Sequence, residues 1–438
     1  MVSAYEYDPL PSASSIRLFT LQPDSGDATI KGSLTTISLS DKTSTTSNFK
    51  ALSYTWANAL DKGNPSYKPD HDISRSILCD ERSLAVTKNL YDALWQLRER
   101  KEFSPLWIDA ICINQAGKDE IPHQLKLMSR IYAEASLVII WLGKEDPTTH
   151  EALQAIEKIG ESLFMNTISN FNRSADSNEL ISMTTTQQHA VVNFLLRSWF
   201  SRLWTLQEVL LPTITLSLCG SREVDISIPA IFASTILRNN RTICENVRPG
   251  QVEVSIRRLG AAASVIVWMG CTLPAGGFGE RAFLRYHKID DKLTIPRTYK
   301  WLMALELLVH EARQRECSKA KDRIIAPLAF ALHEKFLPDR EGFRGVEIEI
   351  QRIISGCQSI STQELYCRFT HFMISKMGNL DILSRAHGDQ DTDLELDLPS
   401  WVPPFHTAGS TSLIDELLVT QYDAAKHLGK RSEGNPPN

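Results

Sequence analysis

The spacing of hydrophobic residues along the chain changes twice over residues 106–143. Two apolar runs, 106–111 and 137–142, are short and nearly unbroken, as expected for parallel strands covered by helices on both faces. Between the runs, apolar residues recur at steps of four and three, the spacing of one helix face: Ile121, Leu125, Met128, Tyr132 and Ala135. Asp119 and Glu120 place negative charge at the start of that helix. The pattern predicts a strand, a helix and a second strand in the crossover unit of an α/β sheet.

The hydrophobic pattern also predicts strands and helices on both sides of this unit. Apolar runs and alternation predict strands at 16–21, 28–39, 51–56 and 214–219, and a hairpin from 76–79 and 83–86. Helical spacing predicts helices at 88–101, about 150–164 and 189–211, and then a mostly helical region with 301–315 and 321–333 as its clearest members. The polar stretch at 166–187 is either a disordered insertion or an ordered lid over a site.

Composition narrows the class of protein. A net charge of −5 over 438 residues gives no electrostatic reason to expect nucleic acid as a partner. The eight cysteines are scattered without zinc-site spacing, so we expect reduced thiols and no metal site. The N-terminus lacks a secretory signal, and the uncharged segment 259–279 is too interrupted for a membrane span. We expect a cytoplasmic protein.

Two carboxylates are candidates for chemistry. Asp109 interrupts an apolar strand near its carboxyl end, where α/β proteins bind ligands. In a functional role it binds a ribose hydroxyl or orients a backbone group at the mouth of the crevice. In a purely structural role it caps a neighbouring helix or accepts hydrogen bonds from backbone amides of the loop 114–117. Glu208 follows Trp204 by one helical turn, and a carboxylate in such a partly apolar cleft favours positive charge developing nearby. That chemistry suits cleavage of a glycosidic bond, including the bond from nicotinamide to ribose.

Glu208 also has a purely structural interpretation. It can pair with Arg202 or Arg197 and only hold the helix in place. On a continuous helix 189–211, one apolar stripe would face the sheet and a second line would carry the glutamate. The stripe consists of Trp199, Leu203, Leu206 and Leu210, and the second line of Phe200, Trp204 and Glu208. The tryptophans at 56, 95, 107, 141, 199 and 204 are predicted to belong to the core.

Several ordered blocks of sequence resemble the heterokaryon incompatibility (HET) domain of filamentous fungi. The blocks are LWIDAICINQ at 106–115 with Glu120, Gln124 and Tyr132 behind it, ALSYTW at 51–56, NLYDAL at 89–94 and RSWFSRLWTLQE at 197–208. Weaker matches follow at 322–324 and 398–403, so the resemblance covers roughly residues 5–215 well. This chain departs from the pattern at Ala57, where the family usually has glycine, and at Ile121-Pro122, where it usually has a basic residue.

The resemblance implies a distant relation to the TIR domain and therefore a site. In TIR enzymes that cleave NAD, the catalytic glutamate lies shortly past a tryptophan, on the helix after the third strand. Carried over by position, Glu208 is the catalytic candidate and Trp204 the ring beside the nicotinamide. Ser53, Tyr54, Thr55 and Trp56 would line the loop after the first strand, together with Asp109. NAD would be a substrate, and no cofactor is implied.

The expected architecture is an α/β protein with a TIR- or flavodoxin-like parallel sheet flanked by helices. Residues 1–47 would be a β-rich lead-in, 48–212 the HET domain, 213–423 a mostly helical region and 424–438 a disordered tail. The resemblance implies a fungal effector of non-self recognition, a form of innate immunity, that triggers programmed cell death. It implies self-association on activation and an allelic or NLR-type partner. The alternative is a signalling module without enzymatic activity, which recruits partners through the TIR-like domain.

Overall fold

The computed structural model describes residues 2–23, 29–39, 48–60, 62–64, 66–68, 75–117, 119–158, 183–239, 255, 257–265, 296–338, 340–357, 359–385 and 396–407. The greater part of the polar stretch 166–187, the tail 424–438 and part of the loop after residue 57 lie outside these residues. The predictions made for those segments therefore stay predictions. The domain limits predicted at residues 48, 212 and 423 stay predictions as well.

Strands and helices alternate through the first half of the described chain, and helices dominate the second half. The strands are β1 (Ser15–Leu21), β2 (Lys31–Ser38), β3 (Lys50–Ser53), β4 (Arg75–Cys79), β5 (Arg82–Val86), β6 (Leu106–Trp107), β7 (Leu137–Trp141), β8 (Thr215–Cys219) and β9 (Arg222–Val224). The helices are α1 (Lys88–Glu99), α2 (Asp109–Cys112), α3 (Glu120–Glu134), α4 (Thr185–Leu195), α5 (Ser198–Ser201), α6 (Thr205–Leu210), α7 (Ser227–Asn239), α8 (Arg297–Ala312), α9 (Asp322–Ala331), α10 (Arg340–Gly356) and α11 (Thr362–Met377). Residues 149–158 and 257–265 are also helical.

The described strands form one sheet in the order β5-β4-β2-β1-β6-β3-β7-β8-β9. At its centre, β6, β3, β7 and β8 are parallel to one another. In chain order these are the second, first, third and fourth parallel strands, which is the flavodoxin-like order of a doubly wound sheet. The predicted α/β fold with a helical C-terminal region is confirmed. The sheet as a whole is mixed, because β1 pairs antiparallel with both β2 and β6.

The predicted hairpin is present as β4 and β5, but it closes through Asp80 and Glu81 alone, because Arg82 already belongs to β5. Both residues have positive φ, 49° and 59°, the backbone of a tight turn whose twist matches that of the strands it joins. The chain start joins the same sheet, since Ala4 bridges to Ser83 in β5. The N-terminal residues are therefore attached at the edge of the sheet and also, through β1, at its centre.

Helix α3 forms where the period predicted it, but its buried face is rotated from the one expected. Met128, Tyr132 and Ala135 are buried, whereas Leu125 is 40% exposed. Gln124 is buried instead, and its Nε2 donates to the Ser15 carbonyl at 2.9 Å. The start of the helix packs against β1 through polar contacts, so the apolar period alone placed Leu125 on the wrong face.

The strand predicted at 106–111 ends at Trp107. The chain leaves the sheet and turns into α2, whose residues Ile111 and Cys112 are buried. A short apolar run fits a buried strand and a buried helical turn equally well, so periodicity could not separate the two.

The helix predicted at 189–211 is broken into α4, α5 and α6. The breaks are at Arg197 and Arg202, whose ψ angles of 138° and 139° are extended. Arg197 is buried, and its guanidinium donates to the carbonyls of Leu142 and Lys144, at 3.0 Å each. Because these contacts turn the backbone out of the helix, the two predicted stripes do not share one helix.

The prediction that six tryptophans belong to the core is only partly right. Trp107, Trp141 and Trp199 are buried, whereas Trp56 is 38% exposed. The six described cysteines carry free thiols, four of them buried. No helix in the described parts of the chain is both long and apolar enough to cross a membrane.

Candidate active site

Four predicted site residues come together at the carboxyl ends of the central parallel strands. Ser53 ends β3, Tyr54 follows it, Asp109 opens α2 just past β6, and Glu208 lies in α6. This edge, beside the point where the strand order reverses, is where doubly wound sheets bind ligands. Strand β3 therefore forms the base of the site, and helices α2 and α6 contribute its two carboxylates.

The side chain of Glu208 is anchored by a hydrogen bond from the end of β3. The hydroxyl of Ser53 donates a short hydrogen bond to Oε2 of Glu208 and accepts one from Nε1 of Trp199 at 2.7 Å. All three side chains are buried, with Glu208 only 5% exposed. The indole and the hydroxyl thus form a fixed chain of donors that ends on one carboxylate oxygen.

Burial raises the pKa of Glu208 from 4.5 to about 7. The positive charge of Arg202 and the hydrogen bond from Ser53 lower that pKa, and the negative charge of Asp109 raises it further. A carboxyl group with this pKa exists in both forms near neutral pH, which suits a group that stabilises positive charge or takes up a proton.

Asp109 faces the mouth of the site. Its Oδ2 accepts from Nε1 of Trp56 at 2.7 Å, and its Oδ1 accepts from the amide of Ala110 at 2.7 Å. Burial raises the pKa of Asp109, although Trp56 and Arg202 oppose that rise. The carboxylate thereby fixes the orientation of a half-exposed indole ring.

Three backbone amides of the loop 114–117, those of Asn114, Ala116 and Gly117, donate to acceptors other than the Asp109 carboxylate. The amide of Asn114 donates to Glu120 at 2.8 Å, and the amide of Ala116 donates to the side chain of Asn114 at 3.1 Å. Gln115 instead donates its side-chain amide to the backbone carbonyl of Asp109 at 2.9 Å. The prediction that Asp109 accepts from these loop amides is therefore wrong.

Glu120, at the start of α3, is held against the sheet and does not lie on an exposed helix side. Glu120 pairs with Arg17 of β1, the Nη1-to-Oε1 distance being 2.7 Å. Arg130 pairs with Glu134 at 2.5 Å. The pair of Arg17 and Glu120 therefore ties the start of α3 to the sheet.

Tyr54 contributes a buried hydroxyl. The residue is 3% exposed, and its hydroxyl lies near enough to the Asp109 carboxylate to interact with it, although not in ideal hydrogen-bonding geometry. Burial raises the pKa of Tyr54 well above 10, and the Asp109 carboxylate raises it further. The phenol therefore stays protonated and keeps its O–H donor beside the Asp109 carboxylate.

Thr55 is fixed by contacts that the sequence did not suggest. Nδ2 of Asn89 donates to the Thr55 carbonyl at 2.7 Å, and Oδ1 of Asn89 accepts from Nε1 of Trp141 at 2.9 Å. Asn89 thereby connects the loop after β3 to β7. Its position in the block 89–94 was the only signal available from the sequence.

The indole of Trp204 is directed away from this cluster. Its Nε1 donates to Oδ2 of Asp322 at 3.1 Å, at the start of α9. Sequence reasoning grouped Trp204 with Glu208 because it assumed one continuous helix, whereas α6 begins only at Thr205. The structure instead links Trp199 to Glu208 through the hydroxyl of Ser53.

Neither arginine considered as a structural partner for Glu208 closes an ion pair with it among the described residues. Arg197 pairs with Asp146, Nη2 lying 3.3 Å from Oδ2. Arg202 donates from Nη1 to the Tyr54 carbonyl at 2.7 Å, and its charge lowers the pKa of Glu208. Glu208 therefore has one firm partner, Ser53, and one nearby positive charge.

The donors at this edge suit an organic ligand better than a metal ion. Within the described ranges, no group of three His, Cys, Asp or Glu side chains has the arrangement of a metal site. The cluster offers a carboxyl of nearly neutral pKa, a second carboxylate, a phenol and an indole ring. These groups can bind hydroxyls and a planar ring and can stabilise a cationic transition state.

Comparison with known proteins identifies this part of the chain. Residues 49–208 match the family model of the heterokaryon incompatibility protein (HET). The chain contains a HET domain. The matched segment runs from the residue before β3 to Glu208 itself, so the parallel strands β3, β6 and β7 and both candidate carboxylates lie within the HET domain.

A curated relative agrees with the family match. The chain is 28% identical over 205 residues to "Heterokaryon incompatibility protein 6, OR allele" of Neurospora crassa. The similar region is 40% of this chain and 29% of that protein, so the chain spans less than a third of the relative it matches. No solved structure matches the chain.

Proposed function

We propose that this chain is a fungal effector of heterokaryon incompatibility, and that its HET domain hydrolyses NAD during the cell-death reaction that follows non-self recognition. The family match and the name of the Neurospora crassa relative support the role in incompatibility. The proposal for NAD rests on the arrangement of Ser53, Asp109 and Glu208. NAD is a substrate in this proposal.

The single observation that carries the enzymatic proposal is the environment of Glu208. A glutamate only 5% exposed, anchored by Ser53 at the carboxyl end of β3, has a pKa of about 7. Structural carboxylates are more often paired with a cation at contact distance, which depresses their pKa. A carboxyl with a raised pKa at the ligand-binding edge of a sheet is a candidate catalytic residue.

The proposed reaction breaks the bond between the ribose C1′ and the nicotinamide nitrogen. The bonding electron pair leaves with nicotinamide, which becomes neutral, and positive charge develops on the ribose as an oxocarbenium ion. The Glu208 carboxylate stabilises that charge and accepts a proton from the water that attacks C1′. The products are nicotinamide, ADP-ribose and one proton.

The remaining residues are proposed to bind and orient the substrate. Asp109 and the hydroxyl of Tyr54 face ribose hydroxyls, and Thr55 shapes the loop around them. Trp56 presents an exposed ring at the mouth of the site. Trp204, whose indole nitrogen donates to Asp322, has no role in this proposal.

The test is NAD loss and nicotinamide release by the purified full chain at high concentration, with Glu208→Gln beside it. The matched control is Glu102→Gln, because Glu102 pairs with Lys50 at the opposite, amino end of β3. We expect turnover in the wild type and in Glu102→Gln, and its loss in Glu208→Gln. Equal turnover in all three proteins, or none in a folded and self-associated wild type, would reject the enzymatic proposal.

A second candidate function is assembly without catalysis, and the exposed face of α3 favours it. Leu125 is a large apolar side chain 40% exposed on this helix. Self-association on activation, or binding of an allelic or NLR-type partner, would cover that face. Leu125→Arg should then abolish both self-association and toxicity in fungal cells, with Leu380→Arg as a control at another exposed leucine. Persistence of both properties in Leu125→Arg would count against this surface.

A further inference from the structure

Arg315, just after α8 in the C-terminal helical region, is buried and bonded to the segment that precedes Glu208. Its Nη1 donates to the carbonyls of Phe200 and Arg202, at 3.1 and 2.8 Å. Its Nη2 donates to the carbonyl of Ala261 at 2.5 Å, and its Nε to the hydroxyl of Ser264 at 3.2 Å. One guanidinium therefore joins residues 200–202 to the helical residues 257–265.

Glu316 holds the same segment through its backbone. Its amide donates to the Ser201 carbonyl at 2.7 Å, and its carbonyl accepts from the Leu203 amide at 2.9 Å. These two bonds form a parallel bridge between Glu316 and Arg202. They also explain why the backbone of Arg202 is extended and why α5 and α6 are separate helices.

Arg202, fixed in this way, reaches into the candidate site. Its Nη1 donates to the Tyr54 carbonyl at 2.7 Å, at the end of β3. Its positive charge is the strongest influence that lowers the pKa of Glu208, and it acts in the same direction on Asp109. The other titratable groups that influence Glu208, or are influenced by it, are Asp109, Tyr54 and Tyr132.

We propose that Arg315 and Glu316 form a clamp on residues 200–203 that positions Arg202 beside Glu208, so that the C-terminal helical region sets the charge state of the site. Arg315 and Arg202 are positioning residues in this proposal. The proposed role of the clamp in catalysis rests on the proposed NAD hydrolysis. The proposed effect of the clamp on the protonation of Glu208 is independent of NAD hydrolysis. A shift of the C-terminal region that opened the clamp would move Arg202 and thereby change the protonation of Glu208.

The experiment follows the protonation of Glu208 in the full chain by infrared difference spectroscopy against pH. Glu208→Gln identifies the carboxyl band. Arg315→Met keeps the bulk of the buried side chain but removes the donors to Phe200, Arg202 and Ala261. The matched control is Arg313→Met, because Arg313 is equally buried two residues away but binds Thr407 through Nε at 3.1 Å.

We expect Arg315→Met to raise the titration midpoint of Glu208 by about 1 pH unit, the size of effect that an opposite charge exerts on a nearby carboxylate. Arg313→Met should leave the midpoint unchanged while losing a similar amount of thermal stability. A midpoint in Arg315→Met equal to that of the wild type, or an equal shift in both variants, would overturn the clamp.

Two further variants keep the test decisive if Arg315→Met does not fold. Arg315→Lys keeps the charge but cannot serve three carbonyls at once, and it should shift the midpoint in the same direction. Arg202→Met removes the charge itself, so adding Arg315→Lys to it should cause no further shift. Additive shifts would show that Arg315 does not act through Arg202.

Activity provides a separate readout. If the wild type releases nicotinamide, the pH profile of Arg315→Lys should move to higher pH by the same amount as the midpoint. If the wild type is inactive but the midpoints move as expected, the clamp stands and NAD hydrolysis fails. The two proposals can therefore fail independently.

Discussion

The hydroxyl of Ser53 donates a hydrogen bond to the Glu208 carboxylate across 155 positions of sequence, joining the first parallel strand to the last helix of the HET domain. The same hydroxyl accepts a hydrogen bond from the Trp199 indole, so Ser53 connects that indole to the Glu208 carboxylate. Ser53 is fully buried. The strand end therefore acts as a fixed donor for the candidate catalytic group.

Ser53→Ala should change both stability and titration. The Trp199 nitrogen would lose its acceptor in a buried setting, and we expect the free energy of unfolding to fall by about 1–3 kcal/mol. The pKa of Glu208 should rise, because the Ser53 hydrogen bond lowers it. Urea unfolding and the infrared titration measure the two effects. Ser76→Ala is the control, since Ser76 bonds Ser83 on an exposed hairpin and its loss should cost under about 0.5 kcal/mol.

Glu208 should make the protein less stable as pH rises from 4.5 to about 7. Burial raises its folded-state pKa above the unfolded value, so the folded state binds more protons in this window and the proton-linked stabilisation disappears as pH increases. The unfolding free energy of the wild type relative to Glu208→Gln should fall by up to about 3 kcal/mol between pH 5 and pH 8.

Glu102→Gln is the control for that pH dependence and should show the opposite sign. Burial raises the pKa of Glu102, but the hydrogen bonds from Lys50 and Ser104, together with the Lys50 charge, outweigh burial, so the net pKa is lowered. Its contribution to stability should therefore be present above pH 4.5 and be lost as pH falls below it. A stability difference for Glu208→Gln that does not vary with pH would contradict the burial argument.

Arg17→Met should destabilise the protein by about 3–5 kcal/mol, the usual cost of leaving one charge of a buried ion pair without its partner. Arg17 is 3% exposed, and besides Glu120 it donates to the Cys112 carbonyl at 3.0 Å and the Asp8 carbonyl at 2.6 Å. Chemical denaturation measures the loss. Arg368→Met is the control, since that side chain is 52% exposed in a pair with Glu364 and should cost under about 0.5 kcal/mol.

Two Gly→Ala substitutions should have opposite signs. Gly143 follows β7 with φ of +98°, and a Cβ there would lie 2.2 Å from the Cβ of Ala59. Gly143→Ala should therefore cost at least about 2 kcal/mol. Gly345 lies inside α10, where an added Cβ meets nothing within 4 Å, so Gly345→Ala should stabilise by about 0.5–1 kcal/mol. Thermal unfolding of both variants checks this, and a shift in the same direction for both would contradict it.

Much of the parallel sheet could be predicted because its strands are short apolar runs separated by helices of regular period. The convergence of Ser53, Asp109 and Glu208 followed from strand ends meeting at one edge. The breaks at Arg197 and Arg202 could not be predicted, because they depend on carbonyls of β7 and on Glu316, which lies more than 110 residues away. Local sequence contains no signal for such long-range contacts.

The errors on α3 have a related cause. Leu125 and Gln124 are adjacent in sequence and point about 100° apart on the helix, so a rotation by a fraction of that angle exchanges which of them is buried while Met128 and Tyr132 stay buried. The Ser15 carbonyl decides the matter by accepting from Gln124. Apolar period identifies a helix reliably, but a single buried polar contact can set its rotation.

The segment that matches the HET family is smaller than the unit that its strands require. Strand β6 has β1 on one side and β7 has β8 on one side, and both of these neighbours lie outside residues 49–208. A fragment cut at the limits of the match would expose two bare strand edges, with open backbone donors and acceptors that favour aggregation. Recombinant work on this HET domain should therefore keep the chain from β1 through β9, because homology marks where sequence is shared and hydrogen bonding marks what folds.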